Sequence, residues 1–193
     1  MYENRVMHLT LANEQQCFVE GCVQIFALHI TAHRPPTFVV LSPNPPNLMT
    51  LALTDLDLYI TGSISGQLQL LPPIPISFPV AGTLSVKAVR VEVNVVLDLQ
   101  KNNDDKPYIR TVSCYIRKGD ISAKVENMGL ITDIVNFKYK DEMGEKAHEV
   151  LQRTVCGNVE QIVEEEFNNR IAKLPNVLSV KEMVQTFVVS DLW

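Results

Sequence analysis

Between Leu51 and about Val125 the sequence alternates apolar and polar residues with a period of two. A side-chain period of two belongs to strands that bury one face and wet the other. Leu56, Leu58 and Ile60 share one parity, with Asp55, Asp57 and Tyr59 between them. Ile74, Ile76, Phe78 and Val80 alternate with Pro75, Ser77 and Pro79, and Leu84 and Val86 with Ser85 and Lys87. Val89, Val91, Val93 and Val95 then alternate with Arg90, Glu92 and Asn94. The parity changes between Leu53 and Leu56 and again between Val86 and Val89, and each change predicts a bulge or twist that keeps the apolar side inward. Lys101 to Pro107, rich in Asn, Asp and Lys, reads as a solvated loop. Arg117-Lys118-Gly119-Asp120 reads as a hairpin turn joining Val112, Cys114 and Ile116 to Ile121, Ala123 and Val125. One apolar face per strand implies an antiparallel sheet covered on a single side. Another part of the chain must supply the cover.

That part is the segment from about Met128 to Leu174, whose apolar residues recur at helical spacing: Leu130, Ile131, Ile134, Val135, Tyr139, Met143, Ala147, Val150 and Leu151, and onward to Ile171. Glu145, Glu149, Arg153, Glu160 and Glu164 fall mostly off the stripe, and Pro175 ends it. An unbroken helix of this length would reach roughly 65 Å, more than the roughly 40 Å of a compact chain of this size. The expected fold is therefore α+β: a strongly curved antiparallel sheet wrapped around one long amphipathic helix, elongated, in a single domain over residues 1–193. Val180 to Val189 alternates loosely and is expected to return to the sheet.

Charge and motifs remove several function classes. A net charge of −5 argues against nucleic acid as a partner, which calls for a basic face. No run approaches the roughly 18 apolar residues of a membrane span, and Met1-Tyr2-Glu3-Asn4-Arg5 does not read as a signal peptide. Gly62-Ser63-Ile64-Ser65-Gly66 has the outline of a nucleophile elbow with isoleucine where the serine belongs. His29 and His33 would chelate a metal on a helix, but on a strand they stand about 13 Å apart. Asp55 and Asp57 read as the outer face of a strand, and Glu164-Glu165-Glu166 as the solvated face of the helix. Pro43-Asn44-Pro45-Pro46 and Pro72-Pro73-Ile74-Pro75 read as loop and edge punctuation. No Asn-x-Ser/Thr sequon occurs. The expectation is a protein that is not an enzyme, with no catalytic residues, metal or cofactor.

Of the four cysteines, Cys114 falls mid-strand and Cys156 mid-helix, beside Gly157. They are either two buried thiols or a bond stapling helix to sheet, which closes a loop worth roughly 4 kcal/mol. Gly157, costly inside a helix, suggests a closely approaching backbone. Cys17 and Cys22 have a spacing that fits a local bond without requiring one.

Val112-Ser113-Cys114-Tyr115-Ile116 leads into Ile121-Ser122-Ala123-Lys124-Val125; Val155-Cys156-Gly157-Asn158-Val159 follows within the helix, and then Arg170-Ile171-Ala172-Lys173-Leu174-Pro175. In that order and spacing, the chain from about Cys22 to Val189 resembles the N-terminal domain of the bactericidal/permeability-increasing protein family. That family includes the lipopolysaccharide-binding, cholesteryl ester transfer and phospholipid transfer proteins. The resemblance implies a tubular lipid-binding fold, a Cys114–Cys156 disulfide, an apolar groove between helix and sheet for a phospholipid-like ligand, and an extracellular protein. The family's signal peptide, first long helix and second barrel are expected to be missing from this chain, and its cationic endotoxin-binding surface is not evident at −5.

The expected groove wall is Leu130, Ile131, Ile134, Val135 and Met143 facing Leu56, Leu58, Leu84 and Val86. Gly62, Gly66 and Gly82, with the prolines at 72, 73, 75 and 79, permit the curvature that would keep sheet and helix from filling the space between them. Each buried methylene of an acyl chain gains about 0.8 kcal/mol. Three readings follow: a lipid carrier or transfer module, with membrane or lipoprotein surfaces as possible contacts; an innate-immune binder of bacterial lipopolysaccharide; or an interaction module with a solid core, for which a homodimer is one form. With the family's first helix missing, apolar surface would lie uncovered, so association or marginal stability is expected.

Overall fold

The computed structural model describes residues 11–18, 21–69 and 77–173; Ile74, Ile76, Pro175 and the expected strand Val180 to Val189 lie outside them. Six antiparallel strands come first: β1 (Glu14–Phe18), β2 (Gly21–Arg34), β3 (Phe38–Asn44), β4 (Leu48–Gln69), β5 (Ser77–Lys101) and β6 (Pro107–Glu126). They form one sheet in the order β1-β2-β4-β5-β6, with β3 also on β4. β2 and β3 divide one edge of β4 between them: β2 pairs with Asp57–Leu68 and β3 with Leu48–Thr54. After β6 the chain makes a 3₁₀ turn at Gly129–Ile131 and returns through α1 (Thr132–Lys138), α2 (Lys140–Ile162), a π-helical turn (Val163–Phe167) and α3 (Asn168–Ile171). The return spans about 60 Å at helical rise, and the 22 residues of β4 about 70 Å if straight. Helix and strands therefore run the same distance, and the sheet curls along the helix.

The changes of parity are bulges. Leu53 faces Val93 and Leu56 faces Val91, so β4 carries an additional residue, with Asp55 at φ 60°. Leu56 faces Val91 and Leu58 faces Ala88, so β5 carries the next, with Arg90 at φ 55°. This second flip lies slightly later than the sequence pattern placed it: Ala88 is buried and Val89 is only half-buried. Asp57, buried beneath, accepts the Arg90 N–H at 2.8 Å and pairs with Arg34 at 3.0 Å. The second aspartate thus stitches a bulge rather than facing solvent.

Two sequence expectations in β6 are corrected. Arg117–Asp120 is not a hairpin turn, because β6 runs straight through it. Gly119, at φ 139°, lies opposite the bulged Arg90 and Val91 of β5, where a Cβ would meet the Val91 Cα at 3.1 Å, and β6 carries its own additional residue at Arg117. A left-handed glycine serves a turn or a bulge equally well, so the local residues do not distinguish them. Val112 does not share an inward face with Cys114. A register shift between Val96 and Leu97 turns it outward, 51% exposed.

The helical segment is also not one unbroken rod. It breaks at Tyr139, whose φ of −111° and ψ of 17° leave the helical region, and it widens at the π-turn. Its buried face follows a spacing of four: Val135, Tyr139, Met143, Ala147 and Leu151, then Val155, Val159 and Val163. On a 3.6-residue helix that spacing drifts by about 40° per step, so the seam winds around the helix as a twisted sheet winds around it.

Among the described residues β6 is the last strand of the sheet, and side-chain amides from the helix bond to its outer edge. Asn136 accepts from the Val125 N–H and donates to the Val125 carbonyl, both at 2.8 Å. Asn168 does the same to Ile109, at 2.7 and 2.9 Å. Gln152 accepts from the Ile116 N–H at 3.4 Å. Exposed strand edges invite pairing with other chains, and this one is covered and satisfied at three points.

Cys114 of β6 and Cys156 of α2 are bonded, with Cα atoms 5.6 Å apart, and Cys17 and Cys22 form a second bond between β1 and β2. Gly157, expected to accommodate a neighbouring backbone, has nothing within 4 Å of an added Cβ and faces solvent. With no contact to lose and backbone entropy to gain, Gly157→Ala is expected to stabilise the protein by about 0.5–1 kcal/mol. A chemical-denaturation midpoint that stays the same or falls would contradict this.

Candidate functional site: an apolar cavity under the β1 strand

The bulges in β4, β5 and β6 divide the tube. On one side, Val91, Val93, Val95, Ile109 and Ile116 lie buried in the core. On the other side the inward residues leave a cavity of about 70 Å³. Its floor is Ile60, Ile64 and Leu68 of β4, Leu84 and Val86 of β5, and Ala123 and Val125 of β6. These face one another by strand register: Ile60 opposite Val86, Val86 opposite Ala123, Leu84 opposite Val125. The roof is Val135, Tyr139, Met143, Ala147, Val150 and Leu151 of the helix. Val23, Ile25 and Leu28 of β2 complete one wall, and Leu11 with Glu14, Gln16 and Phe18 of β1 close the side. Glycine at position 66 lets β2 come close there, since a Cβ would sit 2.4 Å from the Cys22 carbonyl oxygen.

Of the expected wall residues, Leu84, Val86, Val135 and Met143 line this cavity. Leu56 and Leu58 are buried in the core, among the bulges rather than at the cavity. Ile131 packs partly buried against the core. Leu130 is 99% exposed and Ile134 54% exposed, so these two do not face the sheet. Positive φ angles at Asn127 and Gly129 turn the chain before the helix begins. The inward seam then starts at Ile131 and Val135, and the residue before each points about 100° away.

No strand pattern marks β1 in the sequence: Glu14, Gln16 and Phe18 give no apolar alternation, and only the fold brings them to the cavity. At this corner the lining becomes polar, with Glu14, Gln16 and Lys146. Arg153 hydrogen-bonds Glu14, and the Lys146 Nζ lies 3.9 Å from the Glu14 Oε2. Lys146 also donates to Glu149 at 2.9 Å. That hydrogen bond, with the ammonium charge behind it, holds the Glu149 carboxyl below the usual carboxylate range. What the pair contributes is thus present above the ordinary carboxylate pKa and lost as pH falls through the lowered one. Nearby, the Phe18 and Tyr139 rings meet at 4.2 Å between centroids.

His29 and His33 both sit on β2, opposite Thr61 and Leu58. Ile64, at the centre of the Gly-Ser-Ile-Ser-Gly stretch, lines the cavity. Among the described residues there is no group of three or more His, Cys, Asp or Glu placed to hold a metal, and no helix is long and apolar enough to cross a membrane.

By sequence, no family model and no curated relative matches this chain. Its fold is nonetheless shared with solved structures. Lipopolysaccharide binding protein superposes with a TM-score of 0.66 at 18% identity, over 89% of this chain and 37% of that one. Takeout 1 of Epiphyas postvittana superposes with a TM-score of 0.52 at 13% identity, over 81% of this chain and 79% of that one. This chain thus spans little more than a third of the length of lipopolysaccharide binding protein. A curled antiparallel sheet holding a long helix, common to all three, is the tubular lipid-binding fold, and it is the fold of this chain.

Proposed function

We propose that the protein is a non-enzymatic lipid-binding module that holds a phospholipid-like ligand between helix and sheet. The observation that carries this reading is the cavity, enclosed by aliphatic and aromatic side chains on three sides and placed under a strand attached along one edge. The fold adds support, since one solved neighbour is named for binding lipopolysaccharide. Two disulfides favour an oxidising, extracellular setting. At about 70 Å³ the closed cavity is well below the roughly 300–1,000 Å³ of sites for drug-sized ligands. Binding an acyl chain therefore means widening it.

The small volume also favours a second reading, an interaction module with an essentially packed interior. Phe38, Val39 and Val40, exposed on β3, would then be the functional surface. Native mass spectrometry of the purified protein separates the two. The lipid reading expects a bound species of amphiphile mass, or saturable uptake of a fluorescent acyl probe after delipidation. A protein that carries no lipid and takes up no probe leaves the interaction module standing.

A further inference from the structure

The cavity wall is hydrocarbon except at one corner, and that corner holds a matched set of charges. Glu14 of β1 is only 14% exposed, between Lys146 and Arg153 of α2. β1 has five residues and, among the described residues, pairs with β2 alone, and the Cys17–Cys22 bond keeps it on that strand. Toward the helix it is held by side chains, the Glu14 ion pairs and the Phe18–Tyr139 ring contact. Its alternate residues Glu14, Gln16 and Phe18 all line the cavity. Lifting β1 from the helix would open the cavity along that side while the disulfide kept β1 on the sheet. Opening would take the Glu14 carboxylate, 14% exposed, away from Arg153, which is 54% exposed, and from Lys146, which keeps Glu149 at 2.9 Å. An incoming anion can take the vacated place beside the two cations.

We propose that Glu14 stands in for the head group of the ligand. A single-chain amphiphile with a carboxylate or phosphate head passes beneath β1, the head takes over Lys146 and Arg153, and the tail occupies the widened cavity. This inference rests on the lipid-binding reading and specifies its ligand class and its gate.

The test uses three fluorescent probes with the same acyl chain and a carboxylate, a phosphate monoester or a primary alcohol as head group. The whole chain is expected to bind an anionic probe at least about tenfold tighter than the alcohol, the scale of one hydrogen-bonded charge. Of the two anionic heads, the one preferred identifies the source. Lys146→Met with Arg153→Met, which keeps much of the apolar stems, is expected to abolish the preference while still taking up the alcohol probe. Glu14→Gln is expected to bind anionic probes faster and several-fold tighter, since the competing carboxylate is gone. In the same variant the Gln15–Phe18 amides are expected to exchange hydrogen faster than in the parent protein. Equal affinity for alcohol and anionic probes, or an anionic preference that survives the double substitution, overturns the inference and leaves the lipid reading intact. Failure of every probe to bind overturns both.

Discussion

Replacing Cys114 and Cys156 together by alanine is expected to cost about 4 kcal/mol, the loop-closure entropy returned to the unfolded chain when a bridge across 42 residues is removed. In a protein of this size that corresponds to a fall in Tm of roughly 8–16 °C. The native state also loses its covalent tie between β6 and α2. What then keeps this stretch of helix on the sheet is the seam of Leu151, Val155 and Val159 and the single Gln152 bond. The loss should therefore show as well in faster amide exchange through the middle of α2. Thermal unfolding of the double variant, beside the parent protein with and without reductant, checks the size. A fall of less than about 1 kcal/mol would mean that the unfolded chain already holds these segments together.

Asn136→Ala and Asn168→Ala are expected to cost about 1–3 kcal/mol each, because each strips a partly buried strand-edge N–H and carbonyl of their partners. The two sites grip opposite ends of β6, so their effects should add. Asn→Asp at either site is informative, since the carboxylate keeps the acceptor and loses the donor. It should leave the Val125 or Ile109 carbonyl unpaired and fall between parent and alanine variant. Denaturant unfolding measures the loss, and the edge left bare should make the double variant more prone to associate. A double variant within about 0.5 kcal/mol of the parent would show that water satisfies the edge as well as the amides do.

Much of the architecture is legible because period two and helical periodicity are both statements about which side of an element meets water. Leu56, Leu58, Ile60, Leu84 and Val86 are buried as their parity requires, and the spacing of Val135, Tyr139 and Met143 marks the inward helix face. Gly119 adopts positive φ inside a strand, as Asp55 and Arg90 do at the bulges that the parity changes mark, and a local sequence offers the same residue for a turn as for a bulge. Only the partner strand, by continuing alongside, shows that β6 does not fold back. Leu130 and Ile134 fail similarly, because a helical stripe read from sequence has a period but no phase until the turn before it is known.

The site was half legible. Leu84, Val86, Val135 and Met143 lie where alternation and stripe both point inward, whereas Glu14, Gln16 and Phe18 carry no periodic signal and lie more than a hundred residues from the helix they touch. Sequence alone determined the strand–helix division, the curved single-sided sheet and the need for a helical cover, because burial of an amphipathic face is a local property repeated along the chain. Tertiary structure alone decided where the cavity lies, which end is solid, and that an acidic residue of the first strand meets Lys146 and Arg153. Those depend on strand register and on the exit angle from β6, which distant partners set and no window of neighbouring residues encodes.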